Sequence, residues 1–114
     1  MSDSSFSQQM ARVLDSLVLG IEGAAEAGDV DVEVSRSGNV IEVEFEDGAQ
    51  MVINTHEAAG EVWVASRRAG YHFRQGDDGR WVDTRSGVEL LALISAEVSA
   101  QAGKPLDFSG VRLA

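Results

Sequence analysis

The chain has 114 residues, the length of one ordinary domain, and an apolar fraction of 44%, which is typical of globular rather than disordered proteins. It contains no cysteine, and this excludes disulfide bonds, thiolate catalysis and any metal or cluster site built on its own sulfur. The net charge of −10 arises in residues 1–60, where there are 12 acids and 2 bases, so this half of the chain repels nucleic acid and anionic lipid and attracts cations or a basic protein surface.

The first predicted element is an amphipathic helix over residues 3–24, which one of the polar residues at positions 3–5 can cap. Glu22 and Glu26 lie four residues apart, so they are neighbours on one face of this helix, away from its apolar side. The apolar positions that recur at helical spacing are Phe6, Met10, Val13, Leu14, Leu17 and Ile21.

Two strands rich in carboxylates are predicted next, at residues 30–35 and 40–46. Successive side chains of a strand point to opposite faces, so the apolar residues of both strands face a core and the acids face solvent. Like charges on neighbouring strands destabilise a sheet, so a fold that keeps them uses them or tolerates them at an edge. The carboxylates predicted on the solvent side are Asp29, Asp31, Glu33, Glu42, Glu44 and Glu46.

Four further strands and a second helix complete the predicted order. Residues 86–89, Ser-Gly-Val-Glu, have capping-box spacing and predict a helix over about 88–102, which Gly103 ends. The last residues, 106–114, form a short, partly apolar tail that either lies along a helix or is loose. The four strands are predicted at residues 49–54, 61–66, 70–75 and 80–84.

This order predicts an α+β fold, a two-layer α-β(6)-α sandwich with two terminal helices packed on one face of an antiparallel sheet. We expect one domain spanning residues 1–114. No run of about 18 apolar residues is present, and the N-terminus lacks the basic and apolar regions of a signal peptide, so we expect a cytoplasmic protein.

The carboxylates themselves indicate weak cation binding. They are hard oxygen ligands, suited to iron, calcium, magnesium or manganese. Alternate residues of a strand lie about 6.5–7 Å apart, so we expect several shallow, water-completed sites of low selectivity rather than one defined site. The same acids fit a basic partner surface equally well, and an acidic surface that only confers solubility is a further interpretation.

The open face of the predicted sheet carries Asn54 and Trp63. An exposed tryptophan beside an asparagine is a hot-spot candidate for protein binding, and a tryptophan that merely covers the sheet is the alternative. Trp81 is expected in the core. His56 and His72 could add nitrogen ligands, although surface histidines without a role are the favoured interpretation. No nucleophile–base order and no phosphate-binding loop is visible, so we expect no catalytic residues and no enzyme.

The element order and several short strings resemble the frataxin family, most closely its bacterial members, over nearly the whole chain. The chain departs from the family in lacking a proline between Asn54 and Trp63, and in having one carboxylate in its helix-to-strand linker, residues 23–28. The strings that carry the resemblance are Asp29-Val-Asp-Val-Glu33, Phe45-Glu-Asp-Gly48, Ile53-Asn54, Val62-Trp-Val-Ala65, Gly70-Tyr-His-Phe73, Asp83-Thr-Arg-Ser-Gly87 and Gln101-Ala-Gly103.

This resemblance implies a role in iron–sulfur cluster assembly in the bacterial cytoplasm. Frataxins bind iron weakly on an acidic ridge, and they bind the cysteine desulfurase of the assembly machinery and modulate cluster formation. The metal-binding residues implied here, which we call the acidic ridge, are Glu22, Glu26, Asp29, Asp31, Glu33 and Glu46, with Asp47 as a further candidate. The partner-binding residues implied are Asp29, Asp31, Glu33, Asn54 and Trp63.

We therefore expect a non-enzymatic, iron-binding regulator of iron–sulfur assembly that docks on cysteine desulfurase and its scaffold machinery. Expected ligands are Fe2+ or Fe3+, with other divalent cations as competitors, and we expect a monomer that oligomerises only with excess iron. Nucleic acid and membrane are not expected partners. The alternatives are an iron donor or buffer, and, in a different class, an acidic adaptor or nucleic-acid mimic that blocks another basic protein. Iron oxidation on the ridge would require a di-iron geometry that strand spacing does not obviously supply.

Overall fold

Two helices lie on one face of a six-stranded antiparallel sheet, in which each strand pairs with the next along the chain. The computed structural model describes residues 2–108, 110, 111 and 113, with side chains from residue 6 onward. This arrangement confirms the predicted two-layer α-β(6)-α sandwich. The elements are α1 (Ser2–Ala27), β1 (Val32–Ser37), β2 (Val40–Phe45), β3 (Gln50–His56), a 3-10 turn (Glu57–Ala59), β4 (Glu61–Ala65), β5 (Gly70–Gln75), β6 (Trp81–Asp83) and α2 (Leu90–Ala102).

The core lies between the helices and the inner face of the sheet. It takes the apolar stripe of α1 and alternate residues of the strands, as the periods of 3.6 and 2 require. Trp81 is 2% exposed, which confirms its predicted place in the core. Leu106 and Phe108 of the tail are also buried in this core, whereas the tail residues 109, 112 and 114 lie outside the described part. No helix within the described residues is both long and apolar enough to span a bilayer.

The end of α1 differs from the prediction and shapes the ridge. The helix continues to Ala27, and Asp29 adopts the left-handed conformation with φ of 57°. The N–H of Val30 donates to the carbonyl of Ala25 at 2.8 Å, and the N–H of Asp29 donates to that of Glu26 at 3.1 Å. These two bonds form a Schellman motif with Asp29 at C′, the position where glycine is usual.

Gly28 lies against a core side chain and is not the left-handed residue of the turn. A Cβ at Gly28 would clash with the Cδ2 of Leu106, so a side chain there would require the Leu106 side chain to move. The left-handed residue is Asp29, and β1 begins at Val32 instead of residue 30. The prediction that the first strand begins at residue 30 is wrong, because Val30 belongs to the helix cap and Asp31 lies just before β1.

The start of α2 also differs from the predicted capping box. The N-cap is Glu89, whose own carboxylate accepts from the N–H groups of Leu91 and Ala92. Ser86 instead donates its hydroxyl to Asp83 at 2.8 Å. Burial alone would raise the pKa of Asp83, but hydrogen bonds from Ser86 and from the backbone of neighbouring residues bring that pKa below its ordinary value.

Candidate functional site

The acidic ridge lies where the end of α1, the turn after it and the first two strands meet. All six of its side chains are exposed, which confirms that they face solvent. In chain order they are Glu22 and Glu26 on α1, Asp29 in the turn, Asp31 just before β1, Glu33 on β1 and Glu46 just after β2.

The pairing of β1 with β2 places like charges directly opposite each other. Glu33 is the register partner of Glu44, and both side chains are exposed on the outer face. Asp31 and Glu46 extend the two rows by one alternate position, and these four carboxylates line one shallow hollow. Opposed like charges in a sheet are destabilising. The fold therefore keeps a repulsive cluster that solvent, a cation or a basic group can relieve.

Asp31 is common to three neighbouring depressions of this surface. Besides the hollow between β1 and β2, it lines a groove between α1 and β1 together with Glu22 and Glu26. It also lines a groove between the α1–β1 turn and the end of α2, which Asp29 and Glu46 share. The ridge residues thus form one connected surface with Asp31 at its centre.

The groove beside α2 contains a cation of the chain itself. The ammonium of Lys104 donates to the carbonyl of Gly28 at 2.5 Å and lines the same groove as Asp29. Asp47, the further ridge candidate, accepts from the N–H of Ala49 at 3.0 Å and so serves the β2–β3 turn. Lys104 therefore places a positive charge beside the acids at this end of the ridge.

The ridge offers hard oxygen ligands without a preformed cage. Within the residues that the structure describes, no group of three or more Asp, Glu or His side chains is placed to hold one metal ion. Carboxylates spread in this way bind hydrated cations through one or two direct ligands and water. The arrangement can therefore concentrate divalent cations weakly, and it can equally attract a basic protein surface.

The outer face of the sheet carries a stack of three rings around Trp63. The indole lies between the imidazoles of His56 and His72, with centroid distances of 4.3 and 4.2 Å and interplanar angles of 2° and 9°. Asn54 is the register partner of Trp63 on β3, and both side chains are half-buried. The structure therefore brings these two candidate residues together on the open face, with both ring faces of Trp63 covered by histidine.

The buried carboxylate of Glu61 hydrogen-bonds the central ring of this stack. It is 7% exposed; its Oε1 accepts from the indole N–H of Trp63 at 2.8 Å, and its Oε2 accepts from Arg74 at 2.9 Å. The hydrogen bond from Trp63 and the charge of Arg74, with that of His72 when protonated, outweigh burial and lower the pKa of Glu61. The indole is consequently fixed in one orientation, with an edge rather than a face toward solvent.

Sequence reasoning missed two features of these surfaces. The predicted ridge omits Glu44, although its alternation with Glu42 and Glu46 places it on the same solvent side. The histidines were interpreted as having no role, because only the register of three strands brings His56 and His72 onto Trp63. Neither histidine lies among the ridge carboxylates, so they add no ligand there.

Comparison with known proteins gives concordant results. A family model described as a frataxin-like domain matches residues 1–104. The iron-sulfur cluster assembly protein CyaY of Cupriavidus taiwanensis is 48% identical over 108 residues, which cover 95% of this chain and 96% of that protein. The CyaY protein of Vibrio cholerae is 38% identical over 108 residues, with coverages of 95% and 99%.

Two solved structures are similar in fold. A frataxin from Psychromonas ingrahamii, studied for stability in the CyaY family, has a TM-score of 0.78 and 33% identity, and the match covers 96% of this chain and 99% of that one. A trimeric frataxin from the yeast Saccharomyces cerevisiae, complexed with ferrous iron, has a TM-score of 0.72 and 28% identity, with coverages of 84% and 87%.

Proposed function

The chain belongs to the frataxin family, and from this premise we propose that it is a non-enzymatic, iron-binding regulator of iron–sulfur cluster assembly. In this proposal it acts in the bacterial cytoplasm as a monomer that docks on cysteine desulfurase through the acidic ridge. The observation that carries the proposal is the connected acidic surface centred on Asp31. The names of its relatives, iron-sulfur cluster assembly proteins, support the pathway.

Electrostatics favours a basic protein as the partner of this surface. The opposed pair Glu33 and Glu44 repels in the free protein, so a lysine or arginine that approaches both relieves an existing cost. Charge complementarity of this kind raises the association rate and fixes orientation, and salt screens it. The docking surface on this chain is then Asp29, Asp31 and Glu33, with Asn54 and Trp63 as a second contact on the sheet face for the scaffold machinery.

Iron enters this proposal as a weakly held ligand of the same carboxylates. The ridge residues Glu22, Glu26, Asp29, Asp31, Glu33 and Glu46 are oxygen donors suited to Fe2+ and Fe3+, and other divalent cations compete for them. The ferrous complex of the yeast relative supports iron binding, and its trimer supports assembly of subunits under iron load. This complex also favours a second candidate function, an iron donor or buffer for cluster assembly.

Calorimetry with the host's cysteine desulfurase tests the proposal. We expect the iron-free chain to bind, with an affinity that falls as salt rises, and the double variant Asp31→Asn/Glu33→Gln to bind much more weakly. A matched control is Asp77→Asn/Asp78→Asn, which removes the same charge from the exposed β5–β6 turn at the other side of the sheet.

The outcomes separate the candidates. Binding that requires iron favours the donor function over the regulator. Equal loss in the ridge variant and the control variant would show that net charge, rather than the ridge, attracts the partner.

A further inference from the structure

Leu19 is an exposed apolar residue within the acidic surface. It is 71% exposed, and among the side chains that the structure describes it is the large hydrophobic one that remains in solvent. A single exposed leucine needs no explanation by itself. Leu19, however, borders two grooves, one against β1 that Val32 lines and one against the tail that Val111 lines. Because these valines are half-buried, the apolar surface continues on both sides of Leu19.

The turn of α1 that follows Leu19 exposes backbone without a side chain at Gly23. Gly23 is exposed, and a Cβ built there would meet nothing within 4 Å, so packing within the chain does not require glycine at this position. Glycine in a helix interior is less favourable than alanine. The helix thus has a flat surface between Leu19 and Glu26, where the side chain of another molecule can lie.

The rim of the groove between α1 and β1 is entirely acidic. Its exposed charges are Glu22, Glu26 and Asp31, and no lysine or arginine lines it within the described part of the chain. An apolar floor with a carboxylate rim matches one kind of occupant: a segment that carries an apolar side chain flanked by basic residues.

We propose that the groove between α1 and β1 receives a basic segment of the partner, which buries an apolar side chain against Leu19, Gly23 and Val32. This inference rests on the proposed function, and its partner is the cysteine desulfurase. Glu22, Glu26 and Asp31 orient the segment through its bases, and Leu19 supplies a contact that salt does not screen. Docking then has two separable components, a salt-sensitive one from the rim and a salt-insensitive one from the floor.

Two substitutions at Leu19 distinguish an apolar anchor from a purely charged surface. Leu19→Ala removes most of the apolar contact without a change of charge, and we expect binding to weaken about tenfold with an unchanged salt dependence. Leu19→Glu adds a carboxylate to an already acidic rim. A surface that works by charge alone gains affinity from this change, whereas the proposed groove loses affinity about tenfold or more.

The experiment is calorimetric titration of the full chain and its variants into the host's desulfurase, without iron, at about 0.05 M and about 0.5 M NaCl. Val82→Ala is the matched control, because Val82 is half-buried on β6 at the opposite edge of the sheet. Circular dichroism verifies that each variant is folded.

Weaker binding of both Leu19 variants, with wild-type affinity for Val82→Ala, supports the inference. Unchanged affinity for Leu19→Ala together with tighter binding of Leu19→Glu overturns it and leaves the proposed function intact. If the wild-type chain does not bind the desulfurase at either salt concentration, the proposed function fails, and this inference fails with it.

Discussion

Replacing Asp29 by glycine should stabilise the fold and weaken the ridge at the same time. Asp29 has a φ of 57°, and the left-handed conformation costs an L-residue about 1 kcal/mol. Its carboxylate also lies at the negative end of α1, which adds about 0.5 kcal/mol of repulsion. Glycine offsets about 0.5 kcal/mol of this gain, because a chain with glycine at this position loses more conformational freedom on folding. The net gain is about 1 kcal/mol, or about 4 °C in Tm for a domain of this size.

Urea unfolding at neutral pH measures this gain, and two further variants separate its causes. Asp29→Asn removes the charge and tolerates the left-handed conformation, so it should gain about 0.5 kcal/mol from the helix-end term alone. Asp29→Ala removes the charge but retains a Cβ, so it should be less stable than Asp29→Asn. If Asp29→Gly is less stable than the wild type, the reasoning is wrong, because the carboxylate then makes a stabilising interaction that outweighs strain and repulsion.

Three further predictions concern the sheet. Glu44→Gln should raise the free energy of unfolding by about 0.5 kcal/mol at low ionic strength, because it removes the repulsion from Glu33. This gain should vanish in about 1 M salt, and a gain that persists there contradicts an electrostatic cause. Because the folded-state pKa of Asp83 lies below the ordinary value of 3.8, its contribution to stability is present above that pH and is lost as the pH falls through the folded pKa. Asp83→Ala should therefore cost about 3 kcal/mol in urea unfolding at neutral pH and flatten the acid limb of the stability curve; an equally steep acid limb in the variant refutes the assignment. Trp63→Phe removes the indole N–H, so the pKa of Glu61 should rise toward its ordinary value of 4.5 in a carboxyl NMR titration, and an unchanged pKa shows that the indole does not lower it.

Local sequence patterns predicted the layers of this fold because they report side-chain periodicity directly. The alternation in β2 put Ile41 and Val43 in the core, and the helical spacing of α1 did the same for Leu14 and Leu17. The exposure of the ridge carboxylates follows from the same patterns. The functional roles of these carboxylates, and the extent of the domain over residues 1–114, stay predictions.

The parts that sequence reasoning could not supply depend on contacts between distant residues. The helix-to-strand linker places Gly28 against Leu106 of the tail, and Asp29 rather than a glycine takes the left-handed conformation. Ser86 had the spacing of a helix cap, but Asp83 binds its hydroxyl and the helix begins later. The imidazole stack on Trp63 likewise needs the register of three strands.

Stability alone does not explain the carboxylate at Asp29. A glycine would suit its backbone and a neutral residue would suit the helix end, yet the chain keeps a carboxylate there. Residues that a fold keeps at a local cost cluster at functional sites, which is consistent with the proposed ridge. The opposed pair Glu33 and Glu44 is a second example on the neighbouring strands.

The turnover of the host's cysteine desulfurase, measured without iron in the presence and absence of this protein, tests the central proposal most directly. We predict that the wild-type chain changes the turnover rate, that added salt weakens the effect, and that Asp31→Asn/Glu33→Gln lacks it while Asp77→Asn/Asp78→Asn retains it. A turnover rate that the wild-type chain leaves unchanged without iron, or that the ridge variant changes as strongly as the wild type, would contradict regulation through the acidic ridge.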